Sequence, residues 1–188
     1  MQIKALLFAP LVASGLVSAA PAASTKSAPF EILTLRSASP IHFNEVQAAR
    51  NSIFLQLPNQ KAVCDKKSDN AATFQIVDGV LHLYRSSGTQ QTLFTDRSGM
   101  GQGVLQYATG DAPLPRNGER KGWKIDKNGD LTFNGSGFIA CPGSISNSWS
   151  VWLDAGVSNP GGNKNCLGFT ARTVKVSKPN SCKYTERK

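Results

Sequence analysis

The residues best suited to recognise a ligand lie in the segment 148–154. Successive side chains of a β-strand point to opposite faces, which predicts a core-facing set of Trp149, Val151 and Leu153. The other face then presents an aromatic ring beside a hydroxyl and a carboxylate, from Trp152, Ser150 and Asp154. A sugar ring could stack on such a platform. The alternative is that a loop covers Trp152 and makes it a second core residue.

A second candidate surface is a cluster of positive charge, with five cations within twelve residues against two acids. The cations are Arg116, Arg120, Lys121, Lys124 and Lys127. Such a cluster could bind an acidic polymer through ion pairing that added salt weakens. The alternative is a solvated edge of a loop and strand with no ligand.

No recognisable catalytic motif occurs in the sequence. His42 and His82 are the only histidines, and neither GxSxG nor HExxH is present. A histidine-based nucleophile, a metal site and a cofactor are therefore not expected. A carboxylate pair of the kind that glycoside hydrolases use stays open, because such residues lie far apart in sequence. The available aspartates are Asp96, Asp111, Asp126, Asp130 and Asp154.

Two glycine-containing segments have only a superficial likeness to ion-binding loops. Residues 126–130 read Asp-Lys-Asn-Gly-Asp, but an EF-hand needs glycine at its sixth position and glutamate at its twelfth. Here Gly129 is fourth and Gly137 is twelfth, so a hairpin turn at Asn128-Gly129 is expected instead. The glycine-rich residues 99–103 do not open a helix and are interpreted as a loop or bulge.

The N-terminus predicts export from the cell. Lys4 precedes an apolar stretch that ends in Val-Ser-Ala, which indicates a secretory signal peptide over residues 1–19 with cleavage after Ala19. The stretch is too short to span a bilayer, and Pro10 interrupts it. Loss of Lys4 lowers the formal net charge from +9 to +8. For an exported protein, this charge favours acidic glycans or an acidic wall as partners over nucleic acid.

The cysteines and a glycosylation motif are also typical of a secreted protein. Four cysteines in a secretory context predict two disulfides, for which three pairings are possible. Their spacing does not form the close pairs of a zinc site. The expected pairs are Cys141 with Cys166 and Cys64 with Cys182. Asn134-Gly-Ser is the single acceptor motif for N-glycosylation.

The pattern from residue 40 onward predicts an all-β domain. Short apolar runs alternate with turn signals every eight to twelve residues, a spacing typical of a sandwich or barrel. Similar hairpins are expected at 73–84 and 123–133, and a β-trefoil would require a third. A single antiparallel β-sandwich-like domain over residues 40–188 is therefore preferred, with a β-trefoil-like barrel as the alternative. Residues 20–39, rich in Ala, Ser and Pro, are expected to form a flexible lead-in.

Three segments carry a family resemblance: LRSASPIHF at 35–43, NGSGFIACP at 134–142 and NCLGFT at 165–170. With them the chain resembles the PhiA family of fungal cell wall proteins over most of its mature length. The resemblance implies a secreted, wall-associated protein connected with the development of phialides and conidia and counted among mould allergens. It supplies no catalytic residues.

Two hypotheses follow from these observations. The first is a non-enzymatic wall protein that supports wall assembly during spore formation, with cell wall polysaccharide or acidic glycans as partners. The second is a secreted carbohydrate-active enzyme that uses two aspartates. Two carboxylates facing each other across a cleft would favour the enzyme. An open outer face around Trp152 would favour binding.

Overall fold

A computed structural model describes residues 24–187, so the predicted leader at 1–19 lies outside the described residues. Residues 24–187 form fourteen β-strands and two short 3-10 turns, with no α-helix. The strands are β1 (Phe30–Leu35), β2 (Val46–Ala49), β3 (Ser52–Leu55), β4 (Val63–Cys64), β5 (Phe74–Val77), β6 (Val80–Leu83), β7 (Gln91–Asp96), β8 (Val104–Thr109), β9 (Trp123–Ile125), β10 (Asp130–Phe133), β11 (Phe138–Cys141), β12 (Trp149–Leu153), β13 (Leu167–Lys175) and β14 (Cys182–Lys183).

Twelve of the strands form one antiparallel sheet that encloses the main core, and a smaller apolar cluster of Ala49, Phe54 and Leu57 lies apart from it. The order of paired strands begins at β1 and leads back to it, because β1 pairs with β5 and also with β13. Opposite walls of the sheet face each other across apolar side chains that are fully buried, among them Leu55, Phe74, Leu83, Phe133 and Leu153. The all-β, antiparallel class predicted from the sequence is confirmed.

Both predicted hairpins are present, and turn chemistry explains them. Asp78 and Gly79 join β5 to β6 with φ values of 50° and 77°. In the β9–β10 turn, Oδ1 of Asp126 accepts the N–H groups of Asn128 at 2.8 Å and Asp130 at 2.9 Å. The hydrogen bond from the backbone N–H of Asp130 is the main reason why the pKa of the Asp126 carboxyl is lowered. The Asp126 carboxylate therefore stabilises the hairpin turn that was expected at Asn128-Gly129.

The expectation of a flexible lead-in over residues 20–39 is wrong for 30–35. These residues form β1, which pairs with β13 at six successive positions. Phe30 is only 1% exposed and Ile32 is 5% exposed. The alternation of apolar and polar residues in this segment directs its apolar side chains into the core. The folded domain thus begins before residue 40.

Two disulfides join the pairs expected from the sequence. Cys64–Cys182 links β4 to β14, and Cys141–Cys166 links the end of β11 to the segment before β13. The first disulfide fastens residues 181–187, which we call the C-terminal strap. Tyr184 anchors the strap: its hydroxyl accepts the N–H of Thr73 at 3.1 Å. The side chain of Gln91 also donates to the Tyr184 carbonyl at 3.0 Å and accepts its N–H at 2.7 Å.

Candidate functional site

A groove with a volume of about 610 Å³ opens on the outer face of the sheet where β3, β8 and β12 meet. Its lining combines an aromatic residue, residues with hydrogen-bonding side chains and two arginines. We call it the Trp152 groove, and its lining includes Trp152, Ser150, Gln106, Asn163, Arg50 and Arg187.

Strand alternation in β12 positions the aromatic ring as predicted. Val151 and Leu153 are 4% and 0% exposed and face the core, whereas Trp152 is half-buried and lines the groove. The indole N–H of Trp152 donates to Oγ of Ser150 at 3.0 Å. This hydrogen bond fixes the ring orientation and leaves its polar edge satisfied.

A short turn packs against one end of the same ring. The 3-10 turn Pro160–Gly162 brings Gly161 so close that a Cβ atom there would lie 2.6 Å from Cη2 of Trp152. The Gly161 N–H donates to Oε1 of Gln102 at 2.8 Å, which holds the turn in place. The turn therefore limits the movement of the ring, while Trp152 keeps its place in the groove wall.

Asp154, the third member of the predicted platform, does not line the groove. It follows the last residue of β12, is exposed and accepts the N–H of Gly156 at 2.9 Å. It lines a separate depression with Arg97 and Glu119. The structure thus brings Trp152 and Ser150 together and separates Asp154 from them.

Arg50 and Arg187 were not among the site residues predicted from the sequence. Arg187 belongs to the C-terminal strap; its Nε donates to the Arg50 carbonyl and its Nη2 to Oγ of Ser52, both at 3.2 Å. Its backbone N–H donates to Oδ1 of Asn51 at 2.6 Å. No local pattern could reveal this pair, because the two arginines meet only when the strap docks beside the β2–β3 turn.

The predicted basic cluster lies on the 109–122 loop, β9 and the following turn, and none of its members lines the Trp152 groove. Arg116, Lys121, Lys124 and Lys127 are exposed. Arg120 is half-buried and donates to the carbonyl of Ala112 at 3.3 Å.

The charge of Arg120 also acts on a histidine of the neighbouring strand. Burial lowers the pKa of His82 on β6, and the charges of Arg120 and then Lys26 lower it further. The Nδ1 atom of His82 lies 3.1 Å from Oγ1 of Thr92. His82 is thus a half-buried neutral imidazole at neutral pH.

Of the five aspartates considered for catalysis, four have hydrogen-bond or ion-pair partners: Asp96, Asp126, Asp130 and Asp154. Asp130 forms a 2.5 Å ion pair with Arg172, and Asp96 accepts the N–H of Ser98 at 2.9 Å. The carboxyls with a raised pKa in the described chain are Glu31 and Glu45, which were not among the predicted residues. Burial is the main cause for both, and repulsion from Asp69 adds to it. A raised pKa is what a glycosidase acid requires, but neither Glu31 nor Glu45 lines the Trp152 groove.

Other features concern modification, metals and membranes. Asn134 is exposed directly after β10. Its glycosylation stays a prediction.

Among residues 24–187, no three His, Cys, Asp or Glu side chains are grouped so that they could hold a metal ion. The part of the chain described by the structure contains no helix that could cross a membrane.

Comparison with known proteins identifies the family. A family model for PhiA-like secreted proteins matches residues 30–185. A relative from Aspergillus niger is 50% identical over 186 residues, covering 98% of this chain and 99% of the relative. One from Aspergillus fumigatus is 48% identical over 99% of this chain and 100% of its own length. One from Arthroderma benhamiae is 42% identical over 98% of this chain and 100% of its own length.

Each of these relatives is named cell wall protein phiA. No solved structure is significantly similar to the chain. The family resemblance stated from the three sequence segments is confirmed, and with it the secreted, wall-associated location. The chain belongs to the family of PhiA-like secreted proteins.

Proposed function

We propose that this chain is a structural protein of the fungal cell wall that binds wall polysaccharide through the Trp152 groove. The observation that carries the proposal is the half-buried ring of Trp152, fixed by Ser150 and Gly161, in the wall of an open groove. In this role the protein supports wall assembly during the development of phialides and conidia.

The chemistry of the groove suits a saccharide. A sugar ring presents an apolar face that stacks on an indole and a rim of hydroxyls that require hydrogen-bond partners. Gln106 and Asn163 add residues with amide side chains to the groove lining. The volume of about 610 Å³ lies within the usual range of about 300–1,000 Å³ for ligand sites.

Binding without catalysis is favoured over hydrolysis. Within residues 24–187, the residues that line the groove include no aspartate or glutamate, whereas glycoside hydrolases commonly place two carboxyl groups beside the scissile bond. The relatives are named as wall proteins and not as enzymes. Together these observations support a non-enzymatic role.

Co-sedimentation tests the proposal. The mature protein is mixed with insoluble chitin, β-glucan or whole fungal wall at low and high salt, and the bound fraction is measured. We expect retention on at least one polymer that is lost in Trp152→Ala and is largely kept in Trp152→Phe. Phe43→Ala is the matched control, because Phe43 is 62% exposed and does not line the groove. Equal retention of Trp152→Ala and wild type would contradict the proposal.

The developmental role needs a test in the organism. Replacing the chromosomal gene by one that encodes Trp152→Ala should reduce the formation of phialides and conidia, while Phe43→Ala should leave it normal. Immunoblots of the wall fraction must show equal amounts of both variants. Normal sporulation with Trp152→Ala would separate polysaccharide binding from development.

A further inference from the structure

We infer that the Trp152 groove selects an acidic saccharide, with the sugar ring on Trp152 and its carboxylate or phosphate on the guanidinium groups of Arg50 and Arg187. This inference rests on the proposed function and names the class of glycan that the groove takes. A neutral glucan requires no cation at the site. The two arginines therefore provide the preference for an acidic over a neutral saccharide.

The strand register sets the distance between the ring and the cation. On β8, Trp152 lies opposite Val104, and Ser52 lies opposite Gln106. Val104 and Gln106 are two residues apart on the outer face, which separates their partners by about 7 Å along the strand. Arg187 donates to Oγ of Ser52, so its guanidinium group lies at the Ser52 end of this separation.

The guanidinium group of Arg187 is already ordered for binding. Its Nε and Nη2 are held by Arg50 and Ser52, and the strap that carries it is fastened by a disulfide and by Tyr184. Ordering a long side chain on binding reduces affinity, and this ordering has already occurred in the fold. The remaining N–H groups of the guanidinium can donate to an anion in the planar geometry that carboxylates and phosphates match.

No carboxylate among the groove-lining residues neutralises these cations. The adjacent acid, Glu186, accepts the hydroxyl of Thr109 at 2.5 Å and does not line the groove. In the described chain, neither arginine forms a salt bridge. Among residues 24–187, those that line the groove thus carry a net positive charge, which favours an anionic ligand.

The β2–β3 turn positions Arg50. Arg50 and Asn51 form this two-residue turn with φ values of 49° and 58°. Such a turn favours Asn or Gly at both positions. The turn places Arg50 beside the docked strap, where Nε of Arg187 donates to the Arg50 carbonyl.

Matched ligands test the inference. Tetragalacturonate and its methyl ester share their rings and differ in charge, and mannose 6-phosphate against mannose tests phosphate as the source of the anion. Binding to wild type, Arg187→Gln, Arg50→Gln and Trp152→Ala is measured by calorimetry. Lys124→Gln is the control, because Lys124 is an exposed cation outside the groove.

We expect at least one acidic ligand to bind more tightly than its neutral counterpart. Arg187→Gln should weaken binding of that ligand about tenfold and leave the neutral ligand unchanged. Lys124→Gln should alter neither. No preference for either acidic ligand, or equal loss of both charged and neutral ligands in Arg187→Gln, would overturn the inference. Such a result would leave the proposed function intact if Trp152→Ala still abolished polymer retention. If Trp152→Ala retained the polymer as wild type does, the proposed function would be contradicted as well.

Discussion

Removing each disulfide in turn should destabilise the protein unequally. The perturbations are the double variants Cys64→Ala with Cys182→Ala and Cys141→Ala with Cys166→Ala. Each variant lets the unfolded chain explore conformations that the crosslink excludes, so the loss of stability grows with the length of the loop that the disulfide closes.

The magnitudes follow from the sequence separations. Cys64–Cys182 spans 118 residues and Cys141–Cys166 spans 25. The chain-entropy relation gives about 4.9 kcal/mol for the long loop and about 3.5 kcal/mol for the short one, a difference of about 1.4 kcal/mol.

Packing losses largely cancel between the two variants. Cys182 is 3% exposed and Cys141 is 0% exposed, while Cys64 and Cys166 are both half-buried. Each double variant therefore truncates one buried and one half-buried sulfur. The difference in the free energy of unfolding then reports chiefly on loop length.

Urea denaturation followed by tryptophan fluorescence measures both variants against the wild type. The slope of the free energy against urea must be compared as well, because an uncrosslinked unfolded state exposes more surface. A greater loss in the Cys141/Cys166 variant than in the Cys64/Cys182 variant would refute the reasoning.

Three further outcomes are expected. Gly103→Ala should cost on the order of 3 kcal/mol in urea denaturation, because Gly103 has a φ of 89° and a Cβ atom there would lie 2.1 Å from the Leu153 carbonyl oxygen. Gly161→Ala should displace the ring of Trp152 and weaken polymer retention, with a shift in tryptophan emission as its readout. His82 has a native pKa below its ordinary value of 6.5, so below that pH the unfolded state binds a proton that the native state does not, and stability falls as the pH falls. His82→Gln should therefore lose less stability than wild type between about pH 7 and pH 5, and identical profiles would contradict this.

Local chemistry explains which elements could be predicted from the sequence. The Asp78-Gly79 and Asn128-Gly129 turns require positive φ values that few residues adopt, so both hairpins were predictable. The alternation of buried and outward residues likewise located Trp152 and Ser150 on one outer face.

Nonlocal contacts explain what could not be predicted. The composition of residues 20–39 concealed β1, because the partner that makes this segment a strand is β13 at the other end of the domain. Arg187 joins the groove only through the docking of the C-terminal strap. Asp154 leaves the predicted platform because β12 ends one residue earlier, at Leu153.

The pairing of β1 with β13 also determines when this protein can complete its fold. The first strand of the described chain, β1, has its longest pairing with β13, near the C-terminus. Cys64 forms its disulfide with Cys182, which lies C-terminal to β13. Such distant pairings form slowly, since the chain must lose the entropy of a large loop first. The sheet therefore closes only after nearly all of the polypeptide has been delivered to the secretory compartment. Until then, β1 lacks its main partner strand, and its exposed apolar face is prone to aggregation.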